Sequence, residues 1–207
     1  MADFREDSGP DELLTQYSYL FSDDLKDHPI LDLASGDGHN GIFLASKGLS
    51  VVLADRSEEA LSQARLNAHA AGVTVQFWQV DLEQEGVNPL EGRTFSAVLA
   101  FRYLHRPLIP CITKSLKQGG ILMYETFTTE QARFGKPKNP DHLLKAGELL
   151  SWFHDWEVIY AFEGIIGVPP KAIAQLVYRR LKGRIALILN RSQKMQLKKT
   201  SSRDMHA

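Results

Sequence analysis

The sequence has one cysteine, Cys111, and no uninterrupted apolar run of about 18 residues, the length that a membrane-spanning helix needs. One cysteine cannot form an internal disulfide, which suits a reducing compartment. The acidic amino terminus also lacks the apolar segment of a secretory signal. We therefore expect a cytoplasmic protein with no membrane contact.

The sequence also lacks the ligand spacing of a metal site and any internal repeat. The seven histidines have no spacing typical of a metal site, so no metal is predicted. The 207 residues contain no internal repeat, and 43% hydrophobic with 24% charged residues is ordinary for a globular protein. This length is enough for one domain with a proper core.

The net charge of −1 hides an uneven distribution along the chain. Nine basic residues and one acid follow from Arg179 onward, which leaves 15 basic and 24 acidic residues upstream. Such a basic tail is more often a solvated extension than a contact for nucleic acid, and both interpretations stay open. We expect a disordered segment at residues 1–10, a folded domain at 11–180 and a basic extension at 181–207.

One stretch joins a short apolar run to glycines and then to an amphipathic segment. It reads Pro29-Ile30-Leu31-Asp32-Leu33-Ala34-Ser35-Gly36-Asp37-Gly38-His39-Asn40-Gly41. This order is typical of a buried strand, a tight loop and a helix at 42–47. Gly36 and Gly38 would let the backbone pass close under a ligand, with the amides at the helix start facing it.

Asp32 narrows the choice of ligand, because it lies four residues before Gly36 at the end of the strand. A dinucleotide site holds a pyrophosphate there, which a carboxylate would repel. S-adenosylmethionine (SAM) has no phosphate and carries a sulfonium and an ammonium. The run resembles motif I of the class I SAM-dependent methyltransferases, an acidic residue followed by G-x-G-x-G, with Ala34 where the first glycine is usual. The resemblance implies SAM as the cofactor and a cofactor loop made of Asp32, Ala34, Ser35, Gly36, Gly38, Asn40 and Gly41.

The order of strands and helices predicts a parallel, doubly wound α/β sheet. Strands are expected at residues 30–33, 50–54, 73–80, 95–101, 121–126, 156–162 and 172–178. The last two are joined without a helix and must form an antiparallel pair. A nicotinamide-binding fold would continue with a sixth parallel strand, whereas the class I methyltransferases insert an antiparallel seventh strand beside the fifth. The resemblance therefore implies a mostly parallel seven-stranded sheet with an antiparallel last strand, the Rossmann-like methyltransferase fold, over most of the 11–180 domain.

Helices are expected at residues 11–25, 42–47, 57–71, 106–118 and 143–154, with a long polar loop at 127–141 and a further short element at 185–189. Loops as long as 127–141 are often functional in compact domains. The helix at 11–25 has an apolar face that would pack on the domain edge. The resemblance gives it a second role, as a lid over the cofactor.

Acidic residues follow three successive strands: Asp32, Asp55 and Asp81. Ligands in doubly wound sheets lie across the carboxyl ends of the strands. A carboxylate at the end of the second strand can accept both hydroxyls of a ribose, which assigns Asp55 to the ribose. The resemblance implies that Asp81 accepts a bond from the adenine amino group. Plausible walls for the adenine and the methionine chain are Arg56, Leu82 and Phe101.

The methyl acceptor is expected at the ends of the fourth and fifth strands. The candidate catalytic residues there are Arg102, Tyr103, His105 and Glu125. His105 could act as a base and Arg102 could hold an anionic acceptor, although both positions also suit an ordinary surface loop. In-line attack on an activated methyl needs alignment and exclusion of water more than covalent help.

No Asn-Pro-Pro-Tyr-like run follows the fourth strand, which opposes the methylases of DNA bases and of protein glutamine. The run from Gly36 to Gly41 with the following Ile-Phe-Leu-Ala is similar to tellurite-resistance-type methyltransferases. A small-molecule acceptor is therefore expected, with the oligomeric state left open. The alternatives are a non-catalytic SAM-binding or RNA-associated protein and, opposed by Asp32, a nicotinamide-dependent oxidoreductase.

Overall fold

The computed structural model describes residues 9–22 and 25–181. The element expected at 185–189 lies outside the described residues, as do nearly all of the segments assigned to 1–10 and 181–207. Among the described residues, no helix combines the length and hydropathy needed to cross a membrane.

A seven-stranded sheet in the order β3-β2-β1-β4-β5-β7-β6 forms the centre of the molecule. Strands β1 to β5 are parallel, and β7 runs antiparallel between β5 and β6. This confirms the predicted fold class, including the last strand beside the fifth. The strands are β1 Ile30–Leu33, β2 Val51–Asp55, β3 Gln76–Gln79, β4 Phe95–Phe101, β5 Leu116–Phe127, β6 Glu157–Ile166 and β7 Lys171–Arg179.

The central strands are buried on both faces. All seven residues of β4 are buried, as a continuous apolar run in a parallel sheet requires. Successive residues of a strand face opposite sides, so Leu31 and Leu33 join one buried cluster while Ile30 and Leu53 join another. Helices cover both clusters: α1 Glu12–Gln16, α2 His39–Ser46, α3 Glu58–Ala70, α4 Ile109–Ser115 and α5 Glu148–Trp152.

Helix α3 forms as its sequence predicts. The Ser57 hydroxyl accepts the N–H of Ala60 at 3.1 Å, and Glu58 and Glu59 place negative charge in the first turn. Asn67 on the same helix donates to the carbonyl of Asp37 at 2.9 Å, which ties the helix to the loop after β1.

The helix predicted at 11–25 is wrong in length. Helix α1 ends at Gln16, and a 3-10 turn follows at Ser18–Leu20. Tyr17 leaves helical geometry, with φ −103° and ψ 14°, and its ring lies 5.3 Å from that of Tyr160 on β6. The helix therefore ends early because Tyr17 packs against β6 instead of continuing the helical turns. The expected packing role holds, because Leu13 and Leu14 are buried in the core.

Other boundaries also differ from the predicted ones. The helix predicted at 106–118 ends at Ser115, because Leu116 already pairs with Phe95 as the start of β5. The helix predicted at 143–154 shrinks to α5, since Leu144 is extended and bridges to Thr128. The strand predicted at 73–80 pairs with β2 only over β3. Both helices are shorter because part of their apolar sequence serves an extended pairing.

Candidate functional site

The loop after β1 turns the chain with residues in the left-handed region. Ala34, Gly36 and Gly38 have φ values of 51°, 56° and 84°. A Cβ on Gly36 would meet no protein atom within 4 Å, so this position faces open space. A Cβ on Gly41 would lie 2.2 Å from Leu53 Cδ2, and one on Gly38 would lie 2.8 Å from Leu53 Cδ1. Gly36 is therefore free to face a ligand, whereas Gly38 and Gly41 allow α2 to pack on β2.

Asp32 is buried beneath this loop, with 2% of its surface exposed. Its Oδ2 accepts the N–H of Gly41, in the first turn of α2, at 2.9 Å. Burial raises the pKa of Asp32 to about 7, and the carboxylates of Asp11, Asp55 and Asp37 add to that rise. The carboxylate thus takes a position at a helix N-terminus that a phosphate would otherwise use. This placement opposes a pyrophosphate-bearing ligand.

Asp55 ends β2 and bridges two elements. Its Oδ2 accepts the N–H of Gly36 and its Oδ1 accepts the N–H of Ser57, both at 2.9 Å. The carboxylate therefore fixes the cofactor loop against the start of α3. Each carboxylate oxygen has a second lone pair, which leaves capacity for hydroxyl donors such as those of a ribose.

The residues that follow β2 and β3 gather beside Asp55. Asp81 accepts the N–H of Glu83 at 2.9 Å in a turn, and Leu82 is buried. Arg56 lies 4.0 Å from the Glu83 carboxylate and is largely exposed. The structure thus brings the expected ribose and adenine residues to one edge of the sheet, and it adds Glu83 to them.

Tyr103 lies on that same side rather than beside Glu125. Its hydroxyl is enclosed without a hydrogen-bond partner among the described residues. Burial raises the pKa of Tyr103, and the charges of Glu83 and Asp81 raise it further. The sequence grouped Tyr103 with the acceptor residues, but its electrostatic neighbours are those of the expected adenine edge. Its backbone carbonyl accepts the hydroxyl of Tyr124 at 2.9 Å.

Arg102 is held by two elements that are remote in sequence. Its φ of 55° lies in the left-handed region, and its N–H donates to the carbonyl of Glu125 at 2.8 Å. Its guanidinium contacts the Asp11 carboxylate at 2.7 Å. Asp11 in turn exchanges two hydrogen bonds with the Asn40 side chain, at 2.8 and 2.9 Å. The segment before α1 is therefore fastened to both the cofactor loop and the end of β4.

Glu125 lies near the end of β5 and is half-buried. Its Oε2 accepts the Gln175 amide at 2.7 Å. Burial raises the pKa of Glu125, partly offset by the Gln175 hydrogen bond. Phe101 is buried close by at the end of β4, and His105 begins the 3-10 turn Arg106–Leu108 without a side-chain hydrogen bond among the described residues. Arg102, Glu125 and Phe101 are thus brought together, with His105 farther along the chain.

Arg106 organises the loop over β4, a role that the sequence did not indicate. Its guanidinium binds both carboxylate oxygens of Glu148, at 2.7 and 2.9 Å. It also donates to the carbonyls of Asp141 and Leu143, both at 2.8 Å. Arg106 therefore holds the end of the long polar loop against the carboxyl end of the sheet. No local pattern marks this role, because the partners of Arg106 lie 35 to 42 residues later in the chain.

Residues 30–120 match the model of a methyltransferase domain family. A protein assigned as a methyltransferase in Geobacillus sp. (strain WCH70) is 32% identical over 110 residues, which cover 48% of this chain and 42% of that protein. This chain therefore matches less than half the length of that relative. All the residues that follow β1, β2 and β3 at the candidate site lie within the segment that matches the family model.

Two solved structures share the fold. TehB from Haemophilus influenzae has a TM-score of 0.67 and 15% identity, over 81% of this chain and 61% of that one. The magnesium protoporphyrin IX methyltransferase ChlM from Synechocystis PCC 6803, crystallised with S-adenosylhomocysteine, has a TM-score of 0.62 and 17% identity, over 81% of both chains. Residues 30–120 are therefore similar to a methyltransferase domain, and the chain has the Rossmann-like fold of these two solved structures.

Proposed function

We propose that the chain binds SAM across the carboxyl ends of β1, β2 and β3 and transfers its methyl group to a small-molecule acceptor at the ends of β4 and β5. The observation that carries this proposal is the Asp55 carboxylate, bonded to the Gly36 amide directly beside the open space above that glycine. We also propose that the chain is related to the tellurite-resistance-type methyltransferases, which the run from Gly36 to Gly41 resembles.

The residues present fit SAM by their chemistry. Gly36 leaves room for a ligand, and the Ser35 hydroxyl in the same loop is enclosed without a partner among the described residues. An unpaired buried hydroxyl costs about 1–3 kcal/mol, which a ligand can relieve if the loop adjusts. When bound, SAM supplies a methyl group on a sulfonium that leaves as a neutral thioether.

Each group of this chain then has a defined role. Asp55 would accept the ribose hydroxyls and Asp81 would accept the adenine amino group. Burial raises the pKa of Asp32 to about 7, and the cationic end of SAM would favour its ionised form. The cavity would be lined by Arg56, Leu82 and Phe101, and the loop would be shaped by Gly38, Asn40 and Gly41. The chain aligns the acceptor and excludes water, which are the main requirements for displacement at an activated methyl.

Titration calorimetry with SAM, S-adenosylhomocysteine and NADH tests the proposal. We expect the first two to bind and NADH to give no heat. Asp55→Asn should lower the affinity for SAM at least about tenfold, because a charge-assisted hydrogen bond contributes about 1.5–3 kcal/mol to binding. Glu91→Gln, an exposed residue in the turn before β4, is the matched control. NADH binding with no SAM binding would replace the proposal with the oxidoreductase alternative.

The alternative of an RNA-associated protein rests on the basic tail. Deletion from Gln193 onward leaves a chain that ends at Ser192, and filter binding compares its RNA affinity with that of the full chain. We expect no change in SAM affinity after this deletion, since the proposed cofactor residues all lie in the folded domain. RNA binding that depends on the tail, without any methyl transfer, would favour the alternative.

A further inference from the structure

Side chains from three strands form one row at the carboxyl end of β5. Glu125 on β5 is opposite Gln175 on β7, and Gln175 is opposite Phe162 on β6. Opposed residues of antiparallel strands project to the same face, and so does Tyr160, two residues before Phe162. Tyr17 adds its ring 5.3 Å from that of Tyr160. We call these five residues the acceptor wall.

The Glu125 carboxylate is oriented within this wall but is not neutralised. Gln175 donates to its Oε2 at 2.7 Å, and Gln175 accepts the Tyr160 hydroxyl at 3.3 Å. Within residues 9–22 and 25–181, Oε1 of Glu125 has no hydrogen bond and the carboxylate has no ion-pair partner. The charges that influence it are those of Asp11, Arg102 and Lys171, and the Arg102 guanidinium is engaged by Asp11.

A half-buried carboxylate without a cation is costly, and a cationic ligand would offset that cost. Aromatic faces also attract cations, and three residues of the acceptor wall are aromatic. The same arrangement disfavours an anionic acceptor, since the unneutralised carboxylate of Glu125 would repel it. Burial raises the pKa of Glu125, which makes its carboxylate a better proton acceptor than an exposed one.

We propose that the methyl acceptor is a primary or secondary amine that binds as a cation between Glu125 and the rings of Tyr17, Tyr160 and Phe162. This inference rests on the proposed function. The bound ammonium gives one proton to Glu125 Oε1. The freed nitrogen lone pair then forms the N–C bond while the C–S bond breaks and sulfur keeps its electron pair. The methylated amine leaves as a cation, and Glu125 releases its proton to water.

The test compares probes that share a carbon skeleton and differ in the reacting group. Tyramine, phenethylamine and hexylamine are each titrated beside the corresponding alcohol and carboxylate, with the protein saturated by S-adenosylhomocysteine. We expect at least one amine to bind tenfold or more tightly than both of its analogues. Glu125→Gln should remove that preference while leaving S-adenosylhomocysteine affinity within about twofold.

Glu157→Gln is the control, because Glu157 is the first residue of β6, away from the acceptor wall, and pairs with Arg179. It should keep the amine preference. If no amine binds better than its alcohol and carboxylate analogues in any of the three sets, the acceptor class is wrong, although the proposed function stands as long as S-adenosylhomocysteine binds. If S-adenosylhomocysteine itself does not bind, the proposed function fails first.

Discussion

The Oδ2 atom of Asp32 lies 2.9 Å from the backbone nitrogen of Gly41, so a buried carboxylate closes the first turn of α2. This bond joins the acid of β1 to the helix that follows the cofactor loop. Asp32 therefore binds the end of the loop through Gly41, while Asp55 binds its middle through the N–H of Gly36. The two carboxylates therefore fix the loop in different ways, one buried and one accessible.

The first prediction concerns the pH dependence that Asp32 imposes. The folded protein keeps the Asp32 proton up to a pKa of about 7, whereas the unfolded chain releases it near pH 4. Its contribution to the free energy of unfolding is therefore complete below about pH 4 and is lost as the pH rises toward 7. Urea unfolding between these limits should show that the free energy of unfolding of Asp32→Asn falls less, or rises more, with increasing pH than that of the wild type. An equal slope in both proteins would contradict the buried, proton-binding state, and Glu91→Gln should keep the wild-type slope.

The second prediction separates two loop glycines. Gly41→Ala should lower the free energy of unfolding by about 1–3 kcal/mol, because its methyl would overlap the Leu53 side chain. Gly36→Ala meets no protein atom and should cost only the left-handed strain of about 1–2 kcal/mol, yet it should weaken SAM more than tenfold. Thermal unfolding and calorimetry measure the two effects. A Gly36→Ala protein that is folded and binds SAM normally would show that the loop does not contact the ligand.

The third prediction follows from the φ of 51° at Ala34. A glycine there avoids the Cβ penalty of this conformation, so Ala34→Gly should raise the free energy of unfolding by up to about 1 kcal/mol. Ala45→Gly, within the regular helix α2, should lower it by about 1 kcal/mol. Chemical denaturation distinguishes the opposite signs. Destabilisation of the same size in both variants would mean that Ala34 is not in the left-handed region.

The fourth prediction concerns the Arg106–Glu148 pair over β4. Arg106→Gln should lower the free energy of unfolding by about 2 kcal/mol, since it removes a two-bond ion pair and two carbonyl contacts. Arg133→Gln breaks an exposed ion pair with Glu130 and should cost less than about 0.5 kcal/mol. Denaturation at pH 7 compares them directly, and equal losses would mean that the Arg106 contacts contribute no more than a surface pair.

The same pair has a defined acid sensitivity. The Arg106 hydrogen bond holds the pKa of Glu148 below its usual range, so the stabilisation is present above about pH 4.3 and is lost as the pH falls below it. Arg106→Gln should therefore lose less stability than the wild type between pH 5 and about pH 3. Parallel acid-unfolding curves for both proteins would exclude this assignment.

The fold was largely predictable because its signals are local. Continuous apolar runs mark the buried strands, and the missing helix between the last two strands requires an antiparallel hairpin. The helix at 11–25 was over-extended because periodicity does not show that Tyr17 packs on Tyr160, 143 residues later in the chain. The same limit applies to Leu144, whose apolar character suits both a helix and the bridge to Thr128.

The placement of the candidate site residues was predictable only where a local pattern of residues marks the end of a strand. The placement of the glycine loop after β1, and of Asp55 and Asp81 after β2 and β3, could be predicted from their spacing. The partners of Arg102 and Glu125 could not, because Asp11 and Gln175 lie 91 and 50 residues away from them. Spacing also cannot tell a glycine needed for packing from one that faces open space, which is the difference between Gly41 and Gly36.

The position of β7 has a consequence for biosynthesis. Among the described strands it is the last to leave the ribosome, yet it occupies an interior place between β5 and β6. Until it arrives, the edge of β5 from Ile121 to Phe127 stays unpaired and accessible to other nascent chains, and β6 can reach the sheet only through β7. The stretch from Lys171 to Arg179 therefore acts as the final closure of the domain, and a chain that stalls before it presents an open template for aggregation.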